Sequence, residues 1–138
     1  MHSLPQIFAR QLNAGVVLTQ ELSMKIFKYE TLNREQSELD DEIIKIRKKQ
    51  DNIEDNLAEA LAEGEFQRCQ NGELLGTPSE EELLDIFKQH LSRVIDKLAS
   101  KYERKIYLEM DLRKMKTAIE KDIVAANEET AAANKDSL

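Results

Sequence analysis

LTQELSMKIFKYETLNREQSELDDEIIKIRKKQDNIEDNLAEA, residues 18–60, keeps one apolar register from end to end. With Leu18 at heptad position d, position a takes Leu22, Tyr29, Ile43 and Leu57, and position d takes Leu32, Leu39, Ile46, Ile53 and Ala60. Lys25, Gln36 and Gln50 are the only breaks. Six heptads in a single register predict a coiled coil rather than the helix of a compact globule, whose apolar face wanders with the 3.6-residue turn. No proline interrupts the stretch, and the first glycine after Gly15 is Gly64. One helix is therefore expected over about 16–69, and roughly 50 residues of helix reach about 75 Å.

Outward from this helix the punctuation is clear. Residues 70–77 (QNGELLGT) hold Asn71-Gly72 and Gly76 and read as a connection. Thr77, Pro78 and Glu80 then fit N-cap, N1 and N3 of a capping box. Glu81 and Glu82 favour the positive end of the helix dipole, and Leu74 and Leu75 can staple onto the first turns. The second helix is expected over about 78–127. Its seam reads Leu84, Phe87, Leu91, Val94, Leu98, Leu108, Leu112, Met115 and Ile119. Lys101 and Lys105 occupy seam positions, so packing is expected to lapse there, with Tyr102 and Ile106 carrying the stripe sideways. Residues 128–138 (EETAAANKDSL) lack periodicity and are expected to form a disordered tail.

Before the first long helix, residues 4–13 read as a short amphipathic helix with Pro5 in its first turn. Gly15 is free to take positive φ and end it; the alternative is a continuous helix with a tolerated glycine. The layout is a short N-terminal helix or arm (1–15), a coiled-coil domain (16–127) and the tail. The fold class is all-α, an elongated coiled coil of two long helices. The connection permits a hairpin, and equally an open arrangement in which each helix pairs with another chain. Leu83, Ile86, Ile95 and Ile123 flank the seam and widen it, and a wide stripe wants more than one neighbour. A multi-chain bundle is expected, completed by copies of this chain or by other chains.

Composition agrees. Over 138 residues, charged side chains make up 34% and aromatic ones 5%, with no Trp, 4 Gly and 2 Pro. That suits long solvated helices with narrow Leu, Ile, Ala and Met seams better than an α/β fold. The net charge of −7 disfavours nucleic acid and anionic lipid. Lys45, Arg47, Lys48 and Lys49 form one basic cluster, read as a solvated helix face pairing with Asp51, Glu54 and Asp55. The lone cysteine, Cys69, can form no internal disulfide, which suits a reducing compartment. No stretch approaches the roughly 20 apolar residues of a membrane span, and the N-terminus lacks a signal-peptide core. An intracellular, soluble protein is expected.

No constellation for chemistry emerges. There is no phosphate loop, metal spacing or nucleophile elbow. Cys69 has no helping base in view, and His2 and His90 have no companions at ligand spacing. Runs such as Asp40-Asp41-Glu42 and Glu80-Glu81-Glu82 point around a helix axis and do not converge. No enzyme, catalytic residue, metal, cofactor or small-molecule substrate is expected. His90, beside Leu91, reads as a hydrogen-bonded interface histidine. Gln36 and Gln50, both at position a, read as register-specifying amides if buried; otherwise they face a wet seam.

Two segments resemble the C-terminal coiled-coil domain of the FG nucleoporins that anchor the central-channel trimer of the nuclear pore. Gln36, Leu39, Asp40 and Glu42, followed by Ile46, Gln50, Ile53-Glu54-Asp55 and Leu57, are similar to that family's Q-x-x-L-D-x-E and its L-E-D/N-x-L ending. Leu83-Leu84, Ile86-Phe87, His90-Leu91 and Val94 resemble its late helix, which carries a histidine at this place. The chain departs from the family in a shorter stretch between the segments and in having no Phe-Gly dipeptide, so it forms no permeability barrier itself. The resemblance implies a structural subunit that assembles with two other coiled-coil nucleoporins. Leu39, Ile43, Ile46, Gln50, Ile53 and Leu57 would face partner helices, as would Leu84, Phe87, His90, Leu91 and Val94, with Leu98 next along the seam. It places the protein at the nuclear envelope. The other reading is a cytoplasmic coiled-coil adaptor or tether of a kinetochore, cytoskeletal, vesicle-fusion or secretion assembly. Both expect other coiled-coil proteins as partners, in a hetero-oligomer or with copies of itself. Neither involves nucleic acid or membrane insertion.

Overall fold

A computed structural model describes residues 4–71 and 79–136, with side chains at 4–65 and 79–135. Every regular element among them is helical: α1 (Gln6–Ala9), α2 (Gln20–Asn71) and α3 (Glu80–Asp136). The chain is all-α, and the two long helices form a hairpin. It packs as two units. The first combines the chain up to Glu38 with the chain from Lys105 onward; the second is 39–104.

The heptad reading holds from Leu18 to Ala60, with Ile26, one position off it, buried as well. Leu22, Leu39 and Ile43 are buried, and Leu18, Lys25, Tyr29, Leu32, Gln36, Ile46, Gln50, Ile53, Leu57 and Ala60 are half-buried. The start of α2 lies later than Val16. Thr19 is the N-cap: its Oγ1 accepts the Leu22 N–H at 3.1 Å, and its carbonyl accepts the Ser23 N–H at 3.0 Å. A threonine hydroxyl that satisfies an orphan donor sets the boundary more strongly than the apolar pattern does.

The cap of α3 also moves. The helix begins at Glu80, and Ser79 caps it. Its Oγ accepts the Glu82 N–H at 3.2 Å, and its carbonyl accepts the Leu83 N–H at 3.0 Å. The capping pattern is thus Ser79 with Glu82, two residues beyond the expected Thr77 with Glu80. Leu74, Leu75, Thr77 and Pro78 lie outside the described residues, as does His2, and nothing is described of the Cys69 side chain.

The seam of α3 differs from the expected one in three places. Leu83 is half-buried while Leu84 is 44% exposed. Ile123, one position past the strict heptad, is fully buried. Each shift follows the direction in which a turn of 3.6 residues drifts against a seven-residue repeat. At the lysines the stripe takes in Tyr102, as expected, but not Ile106. Ile106 is 58% exposed, while Lys101, Tyr102 and Lys105 are half-buried. Lysine stems lie along a seam and keep their ammonium groups in water; that of Lys101 reaches Glu42 Oε2 at 2.8 Å.

Residues 128–138, expected to be disordered, are helical to Asp136. Alanine has the highest helix propensity of any residue, and Ala125, Ala126 and Ala131 to Ala133 crowd this end. The N-terminal arm also anchors it. The helix in the arm is one turn, Gln6–Ala9, with Pro5 just ahead of it at the N-cap, shorter than the expected 4–13. Gly15 then takes φ +80°, as expected of a glycine stop, with open space around its α-carbon. This turn sends Phe8 back onto the long helices. Phe8, Leu22, Ile26, Ile119 and Ile123 form one buried cluster, with Leu4, Leu12, Leu18, Tyr29 and Met115 against it. Phe8 meets the Tyr29 ring edge-on, centroids 5.1 Å apart, a geometry the ring quadrupoles favour. Asn127 clips the arm: its Oδ1 accepts the Asn13 N–H at 3.0 Å, and its Nδ2 donates to the Gln11 carbonyl at 2.9 Å.

On the other side of this layer, Lys25 Nζ lies 2.7 Å from Asp122 Oδ2. The hydrogen bond to Asp122 raises the Lys25 pKa, the charges of Asp122 and Glu21 add to it, and partial burial works against it. A lysine with a folded-state pKa above its unfolded value of about 10.4 stabilises fully below that value and loses the contribution as pH rises through the raised one. The difference in urea midpoint between wild type and Lys25→Met should therefore be constant from about pH 7 to 9 and shrink toward zero above about pH 10.5. A difference that grows over that alkaline range would exclude the pair as a stabilising contact.

Candidate partner interface

The two units are covered to different degrees. In the first, the arm lies as a third layer over α2 and α3. Phe8, Leu108, Ile119 and Ile123 there have less than 2% exposure. Each apolar side chain of this size, fully buried, contributes roughly 1.5–3 kcal/mol. In the second unit only Leu39, Ile43 and Val94 are buried among the described side chains. From Ile46 through the described end of α2, and from Glu80 to Arg93 on α3, no described side chain is buried. The apolar heptad continues regardless: Ile46, Ile53, Leu57, Leu83, Phe87, Leu91 and Leu98 are all half-covered. Two helices alone cover a seam from one side each, and these residues keep an open flank.

Further apolar side chains widen that flank. Leu84 is 44% exposed, Ile86 48%, Ile95 53% and Ile44 51%. Leu84, Leu91 and Ile95 share one line along α3, by their spacing of seven and four residues. The expected partner-facing residues therefore fall into three groups. Leu39, Ile43 and Val94 are closed within the chain. Ile46, Gln50, Ile53, Leu57, Phe87, Leu91 and Leu98 are half-open. Leu84 and His90 are exposed. His90, expected beside the seam in a hydrogen-bonded setting, stands in solvent within this chain.

The amides also part company from apolar packing. Gln36 is half-buried and lines an open groove of about 210 Å³ in the first unit with Tyr29, Asn33, Glu109, Leu112, Arg113 and Lys116. Gln50 is half-buried in the second unit. Replacing Gln50 with Leu should raise stability by about 1 kcal/mol, since a half-covered methylene surface replaces a polar one, and should loosen partner choice. A chemical-denaturation curve measures the first effect. A clear loss of stability would mean that the amide is needed where it stands.

Lys45, Arg47, Lys48 and Lys49 are all exposed, and Arg47 also reaches across to α3. Its guanidinium donates to the Tyr102 hydroxyl, with the guanidinium carbon 5.4 Å from the ring centroid. With Glu42 to Lys101, this contact ties the two helices together beside Ile43. Neither tie was legible from spacing within one helix, because both partners stand about 55 residues apart in the chain. The Phe8 pocket was equally hidden: the only signal was a buried-type residue, Ile26, one position off the heptad.

No helix of the described residues is long and apolar enough to cross a membrane. The described residues hold no group of three or more His, Cys, Asp or Glu side chains placed to hold a metal ion. No protein-family model, no curated protein and no solved structure matches this chain. The class defined here is that of an all-α helical hairpin with an N-terminal arm.

Proposed function

We propose that the chain is a structural coiled-coil assembly subunit, without catalytic activity, that receives partner helices on the open seam of its second unit. One observation carries this reading. An apolar heptad continues on both helices past Ile46 and ahead of Val94, yet no described side chain there is buried. Apolar residues held at seam spacing and left half-covered are the surface on which a bundle adds a helix.

The finer reading is a nucleoporin-like scaffold of a nuclear-pore channel complex. It is supported by the two segments around Gln36 to Leu57 and Leu83 to Val94, which resemble that family in residue type, spacing and order along the chain. The alternative is an adaptor or tether of another complex, which the same open seam supports without the motifs. Affinity capture of the tagged chain from its own cell extract, with crosslinks mapped by mass spectrometry, separates the two. Nucleoporins crosslinked near Ile53 or Leu91 are the expected result, together with fluorescence of the tagged chain at the nuclear rim. A different coiled-coil set replaces the nucleoporin reading with the adaptor one. A chain that stays monomeric with no crosslinked helix removes both.

A further inference from the structure

The open seam lies in a strongly acidic setting. Over the described side chains of 51–65 and 79–96 there are eleven carboxylates and two cations, Lys88 and Arg93, a net charge of −9. All eleven carboxylates are exposed. The whole chain carries −7, so this end is more negative than the molecule. Residues 39–50 and 97–104 of the second unit are the reverse: Lys45, Arg47, Lys48, Lys49, Lys97, Lys101 and Arg104 outnumber Asp40, Asp41, Glu42 and Glu103. The acidic side chains border the apolar ones. Glu54 follows Ile53 at the flanking position of the heptad, and Glu80 and Glu81 lie four and three residues before Leu84, on the line that continues through the cation Lys88 to Leu91 and Ile95.

We propose that this end of the second unit docks a basic amphipathic helix, with Leu- or Ile-type residues on its seam and Lys or Arg on its flanks. The proposal rests on the reading of the chain as an assembly subunit and adds the chemistry of its partner. Apolar burial gives such a contact its affinity, and the charges flanking a seam decide which helix is accepted. Within a Debye length of about 8 Å at physiological salt, an acidic helix meets a dense field of like charge, whereas a basic one is attracted. The same argument disfavours a second copy seated end over end, because its matching surface also carries −9.

The test uses the full chain and three labelled helical peptides of about four heptads each. One has Leu at a and d with Lys at e and g, one has the same Leu seam with Glu at e and g, and one keeps Lys but has Ser at a and d. Fluorescence anisotropy is read at low and high salt. The Lys/Leu peptide should bind about tenfold or more tighter than either other peptide and weaken as salt rises. The triple variant Glu54→Lys, Glu81→Lys, Asp85→Lys, confirmed helical by circular dichroism, should lose that preference. Equal binding of the Lys/Ser peptide would reduce the site to polyelectrolyte attraction and overturn the proposal. So would a preference for the Glu/Leu peptide, which leaves the assembly reading standing and removes only the charge assignment. Failure of both Leu peptides overturns the proposal as well, and the capture experiment then decides the assembly reading separately. Self-association of the chain alone, abolished by Ile95→Asp, would show that a second copy is the occupant.

Discussion

Replacing Phe8 with Ala should release the N-terminal arm and lower the stability of the first unit by about 3 kcal/mol, the low end for a fully buried phenylalanine. The side chain is fully buried among Leu22, Ile26, Ile119 and Ile123. Its removal leaves a void that a one-turn helix cannot close, and the edge contact with Tyr29 is lost too. Besides Phe8, the arm is held by Leu4 and Leu12 at the edge of the same cluster and by the two hydrogen bonds of Asn127. Its helix is four residues long, far below the length at which a helix is stable by itself. Detachment also frees Asn127 from Gln11 and Asn13, so the last turns of α3 should fray. Hydrogen exchange should show loss of protection both at residues 4–18 and beyond about residue 120, while the second unit stays unchanged. Asn127→Ala is the milder comparison, at about 1 kcal/mol for its hydrogen bonds. A Phe8→Ala protein with wild-type protection near Asn127 would mean that the arm does not anchor that end.

The second large effect is expected at the open seam. Ile46→Asp and Leu91→Asp should each weaken partner-helix binding by about thirtyfold or more, the loss of roughly 2 kcal/mol that marks a central contact residue. A carboxylate at a half-covered seam position loses the apolar contact and must be desolvated when a third helix lands on it. The two sites lie on different helices, so agreement between them would locate the docking face rather than a single residue. Far-ultraviolet circular dichroism separates loss of binding from loss of fold. If both variants kept native helicity and native binding, the helix would have to dock elsewhere. Met24 and Phe27, 65% and 53% exposed in the first unit, are the next surface to test.

Much of the facing of the helices is legible in the sequence. Leu18 and the twelve positions of α2 taken as seam are all buried or half-buried, because a side chain's place around a helix follows from its number alone. Gly15 takes the positive φ expected of it for the same kind of local reason, although α1 has already ended at Ala9. What escaped the reading shows where local information ends. Caps fell at Thr19 and Ser79, since several residues near each boundary carry a suitable hydroxyl and the geometry of the turn selects one. The tail read as aperiodic, and its alanines supply helix propensity that periodicity does not register. Lys101 and Lys105 looked like a break in the seam. Their stems fill it, and the head of Lys101 is satisfied by Glu42, a residue far away in the chain.

The partner-facing set shows the same division. From residue numbers alone, Leu39, Ile43 and Val94 were equivalent to Ile53, Leu57 and Leu91, because periodicity assigns a face without saying what covers it. Coverage is a property of neighbours. Near Ile43 the hairpin closes tightly, tied by Arg47 to Tyr102 and Glu42 to Lys101; toward the connection the seam stays half-open. Helix type and facing were encoded locally, in 3.6-residue geometry. Which apolar residues are closed off inside the chain, and which stay half-open, was decided only by tertiary contacts. Burial depends on side chains brought together from distant parts of the sequence, such as Phe8 with Ile119 and Ile123, and no local pattern contains that information.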